Sequence, residues 1–62
     1  MLSKNVKRLR EKEGIGKTEL ARRCGLSTRT IEFIEYGETS PTLRTLNKLS
    51  KYFKVDIADL IK

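Results

Sequence analysis

Glycine or proline at positions 14, 16, 25, 37 and 41 punctuates this chain, and apart from residue 15 and residues 38–40 the stretches between them are 8 to 21 residues long. Within them apolar residues recur three or four positions apart, which is the spacing of one helix face. No segment alternates apolar and polar residues as a half-buried strand does. The pattern predicts an all-α chain of five short helices. Leu2, Val6 and Leu9 share one face of a first helix, over about 3–13, that ends at Gly14. A second spans 17–24 with Leu20, Ala21 and Cys24 inward, Gly16 as N-cap and Glu19 where a capping-box carboxylate belongs. Gly25 stops it, and Ser27 caps a third helix over 28–36. After Pro41, with Thr42 or Ser40 as cap, Leu43, Leu46, Leu49, Ser50 and Phe53 mark the buried stripe of a fourth. Asp56 caps the fifth, with Val55 and Leu60 at the spacing of a hydrophobic staple.

Sixty-two residues allow one domain, residues 1–62, with one small core. No apolar run exceeds two residues, so nothing here spans a bilayer or forms a signal-peptide core, and the chain reads as soluble and cytoplasmic. Histidine is absent and Cys24 is the single cysteine, which excludes intrachain disulfides, Cys/His zinc sites and histidine-based triads. Without paired carboxylates in an apolar setting or a glycine-rich phosphate loop, no enzyme is expected. A net charge of +6 with no block of like charges describes a folded basic surface, whose commonest partner is phosphate. The charge is uneven: residues 1–24 carry eight bases and three acids, 25–40 one base and three acids, and 41–62 five bases and two acids.

Helix 2, the turn at Gly25 and helix 3 have the dimensions of a DNA-binding helix-turn-helix, whose second helix enters the major groove. On the wheel of helix 3, Ile31 and Ile34 face the core while Arg29, Phe33 and Tyr36 project from the opposite side. An arginine there is suited to a bidentate pair with guanine O6 and N7, and Phe33 to a thymine methyl. Accidental exposure or a protein contact is the alternative.

The chain resembles the Cro and phage-repressor family of helix-turn-helix regulators in Lys17-Thr-Glu-Leu-Ala21, Gly25-Leu-Ser27, Thr30-Ile31, Ile34-Glu35, Gly37, Pro41 with Leu43, and Leu46. The resemblance covers essentially the whole length. It implies a compact five-helix, lambda-repressor-like domain that binds double-stranded operator DNA, usually as a two-fold homodimer, with no cofactor. Neither a membrane nor a small-molecule ligand is expected as a partner. Carried over by position, base reading falls to Thr28, Arg29, Glu32 and Phe33. Phosphate contacts fall to Lys17, Ser27, Thr30, Tyr36, Thr39 and Thr42. Arg10 and Glu35 match an ion pair that joins helix 1 to the end of helix 3 in some relatives. The chain departs from the family at Gly16, where Ser or Thr is usual, at Lys17, where Gln is usual, and at Lys54, where Gly is common. A Gln at 17 bonds both phosphate and a recognition-helix side chain, whereas Lys17 offers charge with no acceptor.

Glu32 has three open readings: an acceptor for cytosine N4, a brace for Arg29, or a solvated carboxylate. Cys24 is expected as a buried apolar thiol. Phe53 is expected in the core, with the adjacent Tyr52 at its margin or in a subunit contact. The dimer contact is assigned to Ile57 and Ile61, with Tyr52, while Leu60 points inward. The main alternative function is a protein-interaction module on the same fold, such as an antitoxin.

Overall fold

The structure, a computed structural model, describes residues 1–38 and 40–62. Five helices follow in order: α1 (Leu2–Lys12), α2 (Lys17–Cys24), α3 (Thr28–Tyr36), α4 (Leu43–Phe53) and α5 (Ile57–Ile61). There is no strand among the described residues. The first helix lies one residue earlier than its apolar pattern suggested, because Glu13 already serves as its C-cap.

One closing device ends each of the first four helices. Ile15, Leu26, Glu38 and Val55 donate their backbone N–H to the carbonyl five residues back, on Arg10, Ala21, Phe33 and Ser50. That loop requires a left-handed residue just before the donor. Gly25 supplies it at φ 71°, whereas at the end of α4 it is Lys54, at φ 59°, that takes it. A side chain in this region is strained against its own backbone, so α4 ends less favourably than the other three. The Ser50 hydroxyl donates to the Val55 carbonyl at 2.5 Å and ties the same turn together.

The starts of the helices are less uniform. Ser27 and Thr42 cap α3 and α4, accepting from the Thr30 and Thr45 amides at 3.1 and 3.2 Å. Two expected caps are not made. Glu19 closes no capping box at Gly16, because its carboxylate turns to the guanidinium groups of Arg22 and Arg23, one turn further along α2. Asp56 occupies the N-cap position of α5, but its side chain accepts no cap hydrogen bond. That helix is held from outside instead: Leu60 is buried, and Asn5 on α1 donates from Nδ2 to the Leu60 carbonyl at 2.8 Å.

Val6, Leu20, Ala21, Cys24, Ile31, Ile34, Leu49 and Leu60 form the core, with Phe53 and Val55 among the half-buried residues packed on it. All five helices contribute. α1 packs on α3 and α5, α2 on α3 and α4, and α4 on α5. Leu43 is the exception to its stripe: it is 66% exposed, because it opens α4 one turn before that helix reaches the core. Cys24 is buried as expected, and desolvation, aided by the charge of Glu13, pushes its thiol up to about 11.

Arg10 and Glu35 join α1 to α3 from the inside. Nε and a terminal nitrogen of the guanidinium grip the two carboxylate oxygens at 2.7 and 2.9 Å, and the remaining nitrogen donates to the Ile15 carbonyl at 2.9 Å. The two side chains are only 11% and 3% exposed. Hydrogen bonding to Glu35 holds the Arg10 guanidinium still more firmly protonated than usual. Every buried side-chain nitrogen and oxygen among the described residues has a partner.

Candidate nucleic-acid interface

α2 and α3 pack against each other across the turn at Gly25, Leu26 and Ser27. Leu26 tucks towards the core, which pulls the chain round so that Ser27 begins α3. Lys48 on α4 buttresses the turn, donating from Nζ to the Gly25 carbonyl at 3.2 Å. Beyond it, Thr28 donates to the Thr18 hydroxyl at 3.4 Å, a long contact between the first turns of α3 and α2.

Burying Ile31 and Ile34 fixes the rotation of α3 and turns its other face outward. Arg29 is exposed there, Phe33 is 39% exposed and Tyr36 is 65% exposed. Two cation–aromatic contacts organise this face. The Arg29 guanidinium carbon lies 5.7 Å from the centre of the Phe33 ring, one helical turn away. Lys17, the first residue of α2, sets its ammonium 5.0 Å from the centre of the Tyr36 ring at the far end of α3. Arg29, Phe33, Tyr36 and Lys17 therefore form two paired cations and rings on the α2–α3 unit.

The remaining expected residues are placed as follows. Thr28 and Thr30 are half-buried near the start of α3, and the exposed Ser27 shares a 2.8 Å hydroxyl contact with Thr30. Thr42 is exposed at the start of α4, its hydroxyl engaged with Thr45. Thr39 lies outside the described residues. Glu32 is half-buried and makes no hydrogen bond or ion pair with Arg29, which turns to Phe33 instead, so the reading of Glu32 as a brace is corrected. On another surface, Ile57 is half-buried and Ile61 is 50% exposed on α5.

Tyr52 is half-buried, its ring edge-on to Phe53 with centroids 5.1 Å apart. Its hydroxyl accepts from Arg23 at 2.9 Å and donates to Glu13 at 2.6 Å. The bond to Glu13 raises its ionisation above the ordinary phenol value against the opposing pull of Arg23. This link between α4, α2 and the end of α1 had no signature in the sequence, nor did the Lys48 buttress. Both join residues more than twenty positions apart, beyond the reach of helical periodicity.

The helix-turn-helix family model matches residues 6–60. An uncharacterised HTH-type transcriptional regulator of Archaeoglobus fulgidus is 36% identical over 55 residues, covering 89% of this chain and 79% of that protein. The CTXphi cryptic-phage transcriptional repressor RstR of Vibrio cholerae is 34% identical over 61 residues, covering 98% of this chain and 55% of the repressor. Among solved structures, the N-terminal DNA-binding domain of SinR from Bacillus subtilis superposes with a TM-score of 0.91 at 25% identity, over 100% of this chain and 91% of that one. The fold is thus that of the repressor-type DNA-binding domains. The chain belongs to the helix-turn-helix family of transcriptional regulators.

Proposed function

We propose that this chain binds a specific sequence of double-stranded DNA and regulates transcription there, with α3 in the major groove. The observation that carries the reading is the outer face of α3, where Arg29 and the two ring side chains stand free of the core. Arg29 is assigned to a guanine, through the bidentate geometry that a guanidinium fork offers O6 and N7. Thr28, Glu32 and Phe33 complete the base-reading set. Lys17, Ser27, Thr30, Tyr36 and Thr42 are assigned to phosphates, which fix the register of the helix without reading sequence. Residues 1–62 act as one domain, a cytoplasmic binding protein and not an enzyme.

One such module covers roughly 600 to 1,000 Å², too little for a unique genomic site, so two copies are proposed on one palindrome. The exposed Ile61, with Ile57, supplies the apolar surface for the contact. The Tyr52 hydroxyl is already bound within the chain, which leaves only its ring to contribute. The two recognition helices then lie about 34 Å apart.

Selection of bound duplexes from a random pool, followed by anisotropy titrations of Arg29→Ala, tests the reading. The variant is expected to lose about 1 to 3 kcal/mol of affinity and its preference at one position of each half-site. An unchanged preference profile overturns the assignment of Arg29. Sedimentation with and without the selected DNA tests the dimer, and independent monomers on each half-site refute it.

A further inference from the structure

We infer that Arg29 and Phe33 act as one reader of a guanine stacked beside a 5-methylpyrimidine, so that this surface accepts 5-methylcytosine as well as thymine at the neighbouring position. The inference rests on the proposed DNA binding and narrows its ligand.

Phe33 carries no hydrogen-bonding group, and the pyrimidine C5-methyl is the apolar feature that base edges present in the major groove. Phe33 is 39% exposed on the reading face, so an apolar group can reach its side chain there. Arg29 lies four residues earlier, with its guanidinium carbon 5.7 Å from the ring centre. The ring therefore holds the guanidinium in place before DNA arrives, which limits the rotamer freedom given up when its fork meets a guanine. A guanine pairs with cytosine, which has no methyl of its own unless modified, so the methyl that meets Phe33 comes from another base pair. Successive pairs are spaced about 3.4 Å apart. The 5.7 Å between the two reading groups is less than two such steps, so with their line inclined to the DNA axis the pair that neighbours the guanine is the one within reach.

Because Phe33 touches only the methyl, it is blind to the O4 acceptor of thymine and the N4 donor of cytosine. A methylated C–G step presents the same methyl beside a guanine. Binding is then controlled by methylation at that step, in addition to base sequence.

The test uses the full chain and the duplex selected from the random pool, made in four forms that differ only in the base pair beside the Arg29-dependent guanine. These carry thymine, deoxyuridine, cytosine or 5-methylcytosine, with adenine opposite the first two and guanine opposite the last two, so that each pair of forms differs by the methyl alone. Burying one methyl is worth about fourfold in affinity. Thymine is therefore expected to exceed deoxyuridine by about fourfold, and 5-methylcytosine to exceed cytosine by a similar factor. Both ratios should fall to about one in Phe33→Ala, a change at a partly exposed position that leaves the core intact. Equal affinities within either pair, methyl ratios that survive in Phe33→Ala, or a selected site with no pyrimidine beside that guanine overturn the inference alone. Failure of the pool to yield any bound sequence overturns the DNA-binding reading and this inference with it.

Discussion

Replacing Arg10 with methionine is expected to cost this protein most of its stability. The carboxylate of Glu35 is 3% exposed and takes two bonds from Arg10, at 2.7 and 2.9 Å. Methionine fills much of the arginine volume but leaves that charge buried without a partner and removes the donor to the Ile15 carbonyl. Breaking one side of a buried pair costs about 3 to 5 kcal/mol. At about 0.05 to 0.15 kcal/mol per residue, a chain of 62 residues holds roughly 3 to 9 kcal/mol in all. The single variant is thus expected to melt at least ~12 °C lower, at about 4 to 8 °C per kcal/mol for a fold of this size. The double variant Arg10→Met with Glu35→Leu removes both charges together and should recover much of the loss, since a well-packed apolar pair often replaces a buried ion pair at little cost. Urea titrations followed by far-UV circular dichroism on the wild type, both single variants and the double variant complete the cycle. A loss below about 1 kcal/mol for Arg10→Met would show that water reaches the pair and would refute the reasoning.

Lys54→Gly relieves a left-handed backbone at the end of α4 and is expected to stabilise the protein by about 1 kcal/mol, seen as a higher melting temperature. Cys24 should resist iodoacetamide until the chain unfolds, with mass spectrometry following the modification. Burial raises its ionisation to about 11 and Tyr52 is also raised, so both bind their protons more tightly folded than unfolded. Their contribution is complete below the ordinary thiol and phenol values and declines as pH rises through the folded ones, so urea midpoints should fall above about pH 9. Lys17→Ala is expected to weaken all DNA sequences alike and to reduce the slope of log affinity against log salt by about one for each phosphate that the lysine no longer neutralises. A changed base preference at constant slope would remove Lys17 from the phosphate set.

The residues of the candidate interface are legible in the sequence because they follow from short-range rules. The spans of α2 and α3 are set by Gly25, Ser27 and Gly37, and each signal acts within one turn of the residue that carries it. With Ile31 and Ile34 committed to the core, period 3.6 leaves Arg29, Phe33 and Tyr36 no other face. The expected partner of Glu19 failed for an equally local reason: a carboxylate at that position meets two arginines one turn on, and their charge outcompetes a backbone amide. Leu43 fits its stripe by spacing and is nevertheless exposed, because spacing says which side of α4 is apolar but not how far along it the core extends. Packing also decided that Lys48 reaches the turn, that Tyr52 bridges Arg23 and Glu13, and that Lys17 settles over Tyr36. These contacts depend on how helices cross, a relation between distant segments that local pattern does not encode.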